Sequence, residues 1–187
     1  MLQKICVSID WTPNFALNFA RAPKKKRVYF PDMIASLDVS SSLFFGSDHR
    51  GLSLKTLLIE HARMRNCAVV DHGTITRESC DAGDFAQRVV ADLREHPAHI
   101  GILICGTGQA MAMTANRHRH IRAALCVNTT MVRLARAHND ANILVLGAEI
   151  IGPELARDCL DAFLTTPFAN EERFVARRDK LDRLGRV

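Results

Sequence analysis

A cysteine followed by a glycine-rich turn is the segment of this chain best suited to chemistry. In "GILICGTGQAM" (101–111) an apolar stretch ends at Cys105, and Gly106, Thr107 and Gly108 follow it directly. Glycines let the backbone turn so that several N–H groups face one point, and the positive end of a following helix would face the same point. We therefore expect a site for an anion or for developing negative charge, with Cys105 as a base or nucleophile favoured in its thiolate form. The alternative is that Cys105 serves only as a small buried apolar residue.

Several known phosphate-binding turns are excluded at this position. A cysteine phosphatase loop needs an arginine six positions after the cysteine to bind phosphate through two hydrogen bonds, and Met111 stands there. The Walker pattern needs a Lys followed by Ser or Thr after its last glycine, and the spacing of GxGxxG is not met either.

Other segments carry ionisable side chains that could complete such a site. "GSDHRG" places Asp48 and His49 after an apolar stretch, where a carboxylate and an imidazole could hold hydroxyls or a phosphate. "ARAHNDAN" places His138 and Asn139 near the end of a predicted helix, where a histidine can exchange a proton near neutral pH or simply pair with the last carbonyls of the helix. The arginines of the last helix could bind an acidic ligand or remain solvated; they are Arg173, Arg177 and Arg178.

The elements that must position these residues alternate strictly between apolar strands and amphipathic helices. Strands are predicted at 42–49, 67–73, 100–105, 122–127 and 143–147. Helices are predicted at 52–66, 84–96, 110–118, 129–139, 153–164 and 171–184. We expect Thr129 or Thr130 to cap the fourth helix and Pro153 to lie in the first turn of the fifth.

This alternation, with continuous apolar strands, predicts an α/β fold. The expected architecture is an open parallel sheet of about five strands with helices on both faces, a Rossmann-like three-layer sandwich. Ligands of such sheets bind beyond the carboxyl ends of the strands, where the strand order reverses. That rule selects four segments, the last of them through the loop and helix after the fourth strand: 47–51, 72–84, 105–109 and 128–140.

The first 42 residues differ from the remainder, so we divide the chain into a leader (1–42) of uncertain order and one domain (43–187). The leader contains the basic run "PKKKRV" and carries most of the net charge of +5. Such a run resembles the core of a nuclear-import signal or a phosphate-seeking arm, but it is more often a solvated segment. Because the domain itself is nearly neutral, we do not expect a nucleic-acid partner. Alternatively Met33 is the true start of translation, which an intact-mass measurement of the native protein would test.

Composition limits the remaining classes of function. At 187 residues, 48% apolar and 24% charged, the chain can form one domain with a sizeable core. No apolar run reaches the roughly 18–20 residues of a membrane helix, and no secretory signal pattern is present, so we expect a cytoplasmic protein that does not bind membranes. The six cysteines form no CxxC pair, and neither cysteines nor aspartates cluster with His118 and His120, so we expect no metal site.

The quoted segments together resemble one known family. "GSDHRG", "GILICGTGQAMAMTANRHRHIRAALC", "ARAHNDANILVLG" and a terminal arginine helix stand in the order and spacing of the ribose-5-phosphate isomerase B family, which also contains galactose-6-phosphate isomerase. The resemblance covers about 43–180. It implies a metal-free and cofactor-free aldose–ketose isomerase that interconverts ribose 5-phosphate and ribulose 5-phosphate through an enediolate, a step of the pentose phosphate pathway. The alternatives are another aldose phosphate, such as galactose 6-phosphate or allose 6-phosphate, and a non-catalytic sugar-phosphate-binding relative.

The resemblance also implies roles for the glycine-rich loop. Cys105 would take the proton from C2 of the sugar phosphate and return it to C1. Backbone N–H groups of the loop, which includes Gly106, Gly108 and Ala110, would stabilise the oxyanion, a contribution that is usually the largest catalytic term. Thr107 would help to move protons between the two oxygens.

For the other segments the resemblance implies binding roles and a shared site. His138 would open the furanose ring by acid–base transfer, and Asp48 and Asn139 would hold sugar hydroxyls. His49 and Arg177 would hold the phosphate, with Arg177 reaching across from a second subunit. The expected assembly is therefore a homodimer with an active site shared between subunits, and further pairing into a tetramer is left open.

The chain departs from the family pattern at four positions. Glu149 stands where an arginine is typical, Phe174 where a histidine is frequent, Ala82 in place of a tyrosine and Ala110 in place of a glycine. These changes touch phosphate and sugar contacts and leave Cys105 in place. They therefore bear on the choice of substrate more than on the type of reaction.

Overall fold

The computed structural model describes residues 42–184, so the expectations for the leader lie outside the described residues except at residue 42. The strands are β1 (Ser42–Ser47), β2 (Ala68–Asp71), β3 (Ile100–Cys105), β4 (Ala123–Leu125) and β5 (Ile143–Gly147). The helices are α1 (Leu52–Met64), α2 (Ala82–Glu95), α3 (Gln109–Ala115), α4 (Thr129–Asn139), α5 (Pro153–Thr165) and α6 (Glu172–Leu184). Each predicted strand and helix is present, and Pro153 is the first residue of α5.

The five strands form one parallel sheet in the order β2-β1-β3-β5-β4. One face packs against α1, α4 and α5, and the other face packs against α2 and α3. The prediction of an α/β fold with helices on both faces of a parallel sheet is thus confirmed. The strand order reverses between β1 and β3, so the carboxyl ends of β1, β3 and β5 lie side by side at the predicted ligand edge.

Alternation along β3 divides its side chains between the two faces of the sheet. Ile102 and Ile104 belong to the core under α1 and α5, whereas Leu103 and Cys105 belong to the core under α2 and α3. All six residues of β3 are buried. Cys105 is therefore held by a rigid central strand and ends at the edge where a ligand is expected.

Several element bounds differ by one or more residues from the sequence-based expectations, and two local differences have a clear cause in a single side chain. The cap of α4 is Asn128, whose Oδ1 accepts the N–H of Met131 at 2.9 Å, so the expectation of Thr129 or Thr130 was wrong. An asparagine side chain caps a helix as readily as a threonine side chain does. Asn128 has the extended backbone of a cap residue, so Thr129 is already the first residue of the helix. Helix α3 ends at Ala115 instead of 118, because both amide atoms of Asn116 bind the backbone of Ala123 at 2.9 Å.

A buried lysine anchors the loop that follows β2. Lys55 is 1% exposed, and its Nζ donates to both carboxylate oxygens of Asp71, at 2.8 and 2.7 Å, and to the carbonyl of Thr74 at 2.8 Å. The loop passes so close that a Cβ on Gly73 would lie 2.8 Å from Nζ. Lys55 was not predicted from the sequence. The only signal is its position on the apolar face of α1, and that position does not identify Asp71 as its partner.

Replacing Asp71 with alanine is expected to destabilise the fold by about 3 kcal/mol, because an ammonium group would remain buried without its counter-charge. Denaturant unfolding followed by circular dichroism measures this change. The control is the double variant Lys55→Met with Asp71→Asn, which removes the buried charge and should recover most of the loss. An Asp71→Ala variant as stable as the intact chain would contradict the anchoring role.

Candidate active site

The thiol of Cys105 lies in a tight turn built by glycine. The N–H of Gly108 donates to Cys105 Sγ at 3.1 Å, and Cys105 is 5% exposed. Gly108 has a φ of 79°, and a Cβ there would collide with the side chain of Leu125. Only glycine satisfies both conditions, so the turn that points an N–H at the sulfur depends on this residue.

The remainder of the loop presents further donors. Within residues 42–184, the backbone N–H groups of Gly106 and Thr107 have no recorded acceptor. Thr107 and Ala110 are exposed, and the Thr107 hydroxyl accepts the N–H of Gln109 at 3.4 Å. A hydroxyl and free amides beside a thiol are the parts needed to stabilise an oxyanion and to move protons next to it.

Asp48 shapes the loop that follows β1. It is 6% exposed, and its Oδ1 accepts the N–H groups of Arg50 and Gly51, both at 3.0 Å. Gly51 must be small, because a Cβ there would lie 2.5 Å from the carbonyl oxygen of Ile104. Within residues 42–184 both hydrogen bonds to this carboxylate use Oδ1, which leaves Oδ2 as an acceptor for a ligand.

The orientation of His49 is set by a residue that sequence reasoning missed. His49 Nδ1 accepts the backbone N–H of Cys80 at 3.2 Å, and Cys80 Sγ lies 3.7 Å from the same nitrogen. A neutral imidazole that accepts at Nδ1 carries its proton on Nε2, so His49 offers a donor there for an anion. Cys80 lies in the loop before α2, and no pattern in the sequence pairs it with His49.

His138, Asn139 and Arg177 lie together, but not beside Cys105 in the same chain. Arg177 Nη1 donates to Asn139 Oδ1 at 3.4 Å, and the His138 ring stacks on Phe174 with centroids 4.2 Å apart. Helix α4 begins at the carboxyl edge of the sheet and ends before β5 starts, at the opposite edge. At 1.5 Å per residue, its 11 residues separate the two edges by about 16 Å.

The rule that selected 128–140 therefore holds only for the start of that segment. Asn128 lies at the carboxyl edge, whereas His138 and Asn139 lie at the amino edge, because a helix that joins parallel strands must run back along the sheet. A cavity of about 450 Å³ opens at the amino edge, lined in part by Arg119, Arg122 and Asn139. One chain thus holds two halves of the predicted site at opposite edges.

Burial raises the pKa values of three other thiols, two of which lie in the core. Burial raises the pKa of Cys126 to about 12 and the pKa of Cys159 to about 11. Burial also raises the pKa of Cys67. These groups therefore remain protonated through neutral and mildly alkaline pH, and their role is to fill the core.

The described residues contain neither a cluster of metal ligands nor a helix that could span a membrane. Among residues 42–184, no three His, Cys, Asp or Glu side chains are grouped so that they could hold a metal ion. The rings of His118 and His120 meet edge to face at 6.3 Å. Over the same residues, no helix combines the length and apolar character needed to cross a membrane.

Comparison with known proteins identifies the family. The family model described as Ribose/Galactose Isomerase matches residues 43–181. Ribose-5-phosphate isomerase B of Escherichia coli is 38% identical over 120 residues, which cover 64% of this chain and 80% of that protein. A Rickettsia bellii protein with the provisional name of sugar phosphate isomerase is 46% identical over 126 residues, 67% of this chain and 88% of that protein.

A solved structure extends this agreement to the fold. The ribose 5-phosphate isomerase of Thermotoga maritima superposes with a TM-score of 0.74 at 44% identity, covering 77% of this chain and 99% of that one. Sequence, fold and the loop around Cys105 agree with the resemblance stated above. The chain therefore belongs to the Ribose/Galactose Isomerase family and is an aldose–ketose isomerase.

Proposed function

We propose that this enzyme interconverts ribose 5-phosphate and ribulose 5-phosphate. The observation that carries the proposal is the thiol of Cys105 at the carboxyl end of β3, hydrogen-bonded by the N–H of Gly108 and followed by two N–H groups that have no acceptor within residues 42–184. The names of the Escherichia coli and Thermotoga maritima relatives support this choice of substrate.

The reaction needs one base and one group that stabilises an oxyanion. The Cys105 thiolate takes the proton from C2 of the open-chain aldose, and the electrons of the C–H bond form the C1–C2 double bond of the enediolate while O1 gains negative charge. The N–H groups of Gly106 and Thr107 stabilise that charge. Thr107 passes the O2 proton toward O1, and Cys105 returns its proton to C1, which leaves a carbonyl at C2.

The geometry of one chain supports a site shared by two copies. A two-fold axis perpendicular to the strands reverses their direction, so it brings the amino edge of one copy beside the carboxyl edge of the other. The loop after β4 and helix α4 expose apolar side chains that such an interface would bury, namely Val127, Met131 and Leu134, each at least 40% exposed. In this homodimer Cys105 of one copy faces His138, Asn139 and Arg177 of its partner. Arg177 and His138 lie close together because both side chains pack against the ring of Phe174.

A second candidate substrate is another aldose phosphate, such as galactose 6-phosphate or allose 6-phosphate. The observation that favours it is the pairing of Glu149 with Arg50 at 2.6 Å beside Gly106, which places a carboxylate near the expected phosphate. Assay of the purified protein with each aldose phosphate, followed by detection of the ketose product, separates the two candidates. Turnover of ribose 5-phosphate at least tenfold faster than the six-carbon substrates supports the first proposal, and the reverse order supports the second.

Alkylation of Cys105 is expected to abolish turnover, and ribose 5-phosphate is expected to protect the enzyme. Iodoacetamide at pH 8 should spare Cys126 and Cys159, because their raised pKa values keep them protonated. Peptide mass mapping assigns the modified cysteine, and a Cys80→Ala variant controls for the thiol beside His49. Full activity after complete modification of Cys105 would exclude this residue as the base.

A further inference from the structure

An ion pair crosses the end of β3, in front of the predicted catalytic loop. Arg50 comes from the loop after β1 and Glu149 from the loop after β5, the two strands that flank β3. Arg50 Nη2 and Glu149 Oε1 are 2.6 Å apart. The pair therefore connects both neighbours of β3 at the edge where Cys105 ends.

The pair lies directly against the residue that follows Cys105. A Cβ built on Gly106 would lie 3.2 Å from Arg50 Cδ and Nε and 3.4 Å from Glu149 Cδ. Hydrogen bonds fix both backbones there, since the N–H of Glu149 donates to the Gly106 carbonyl at 2.9 Å and the N–H of Arg50 donates to Asp48 Oδ1 at 3.0 Å. The backbones of Arg50 and Glu149 are thus fixed beside the loop, whereas their exposed side chains can change rotamer.

The pair is easy to separate. The side chains of Arg50 and Glu149 are 57% and 47% exposed, and solvent screens an exposed pair of this kind so that it stabilises a protein only slightly. A phosphate dianion offers a guanidinium two parallel charge-assisted hydrogen bonds and carries more charge than a carboxylate. An arriving phosphate can therefore replace Glu149 on Arg50, whereas a weaker anion gains little over the carboxylate already present.

We propose that Arg50 is a phosphate ligand of this enzyme and that Glu149 is an internal anion, which occupies Arg50 until the phosphate of the substrate displaces it. The proposal rests on the proposed function, because it takes the ligand to be a sugar phosphate. Glu149 is then a specificity-determining residue. By competing for Arg50 it lowers the affinity of that side chain for every anion, so that only a dianion binds well enough to displace the carboxylate.

Calorimetric titration of the full chain with inorganic phosphate tests the pair without turnover. Glu149→Gln should bind phosphate about 3–10-fold more tightly, and Arg50→Gln about tenfold more weakly, than the intact chain. The double variant should bind phosphate within twofold of the Arg50→Gln variant, because Glu149 acts through Arg50 and has no effect once Arg50 is absent. The matched control is Glu154→Gln, which removes one exposed carboxylate that pairs with Arg157 instead.

Unchanged affinity in Glu149→Gln would overturn the proposal, and so would unchanged affinity in Arg50→Gln. An equal gain from Glu149→Gln with and without Arg50 would also overturn it, because it would show general repulsion of the anion. These outcomes are separate from the proposed function. A chain that binds phosphate as expected but does not isomerise ribose 5-phosphate refutes the substrate alone, and a chain that isomerises it with unchanged phosphate binding in the variants refutes the Arg50–Glu149 proposal alone.

Discussion

Replacing Cys105 with alanine should lower kcat for ribose 5-phosphate on the order of 10³-fold, while the protein stays folded. General bases contribute typically about 10²–10⁴-fold, and Cys105 is the only residue of the 105–109 loop with an ionisable side chain that could take a proton from carbon. KM should change little, because the thiol contacts the reacting proton and not the phosphate. Coupled detection of ribulose 5-phosphate measures both constants.

Two controls separate loss of the base from loss of the fold. Cys105→Ala removes one sulfur from the core under α2 and α3, which should cost about 1 kcal/mol and leave the thermal transition cooperative. Cys126→Ala removes a buried thiol at the carboxyl end of β4 and should keep most of the activity. An active Cys105→Ala variant, or a Cys126→Ala variant with the same loss, would contradict the assignment of the base.

Replacing His138 with alanine should slow the reaction from ribose 5-phosphate by about 10²-fold and slow the reverse reaction much less. Ribose 5-phosphate exists mainly as a furanose ring that must open before C2 can lose its proton. Ribulose 5-phosphate cannot form that ring because its O5 carries the phosphate, so it needs no ring opening. The open-chain aldose released by the variant closes in solution without the enzyme.

Initial rates in both directions measure this asymmetry. His96→Ala is the matched control, because His96 is an exposed histidine after α2 whose ring contacts Phe44 and His99 and, within residues 42–184, no residue assigned to the site. Equal losses in the two directions would show that His138 acts in a step other than ring opening. No loss in either direction would remove it from the mechanism.

The fold could be predicted because its signals are local. Five continuous apolar strands separated by amphipathic helices determine a parallel sheet, and the end of β3 determines where Cys105 is presented. Helix bounds and caps depend on single side chains, so Asn116 ends α3 earlier than expected and Asn128 takes the cap position expected for Thr129 or Thr130. The turn after Cys105 was predictable for the same reason as the fold, because its glycines lie next to the cysteine in sequence.

The remainder of the site depends on contacts between segments distant in sequence. Cys80 sets the orientation of His49 across 31 positions, and Lys55 binds Asp71 across 16. The pairing of Arg50 with Glu149 joins two loops that only the strand order brings together. No residue pattern marks such partners, because either member alone resembles an ordinary solvated or buried side chain.

Mixing two inactive variants tests the shared active site most directly. Cys105→Ala and His138→Ala subunits, combined in equal amounts and allowed to exchange, should form mixed dimers in which one of the two sites has both intact residues. Random pairing makes half of the dimers mixed, so the mixture should regain about 25% of the activity of the intact enzyme with ribose 5-phosphate. A mixture that contains mixed dimers by native mass spectrometry but remains inactive would contradict a site formed by Cys105 of one copy and His138 of the other.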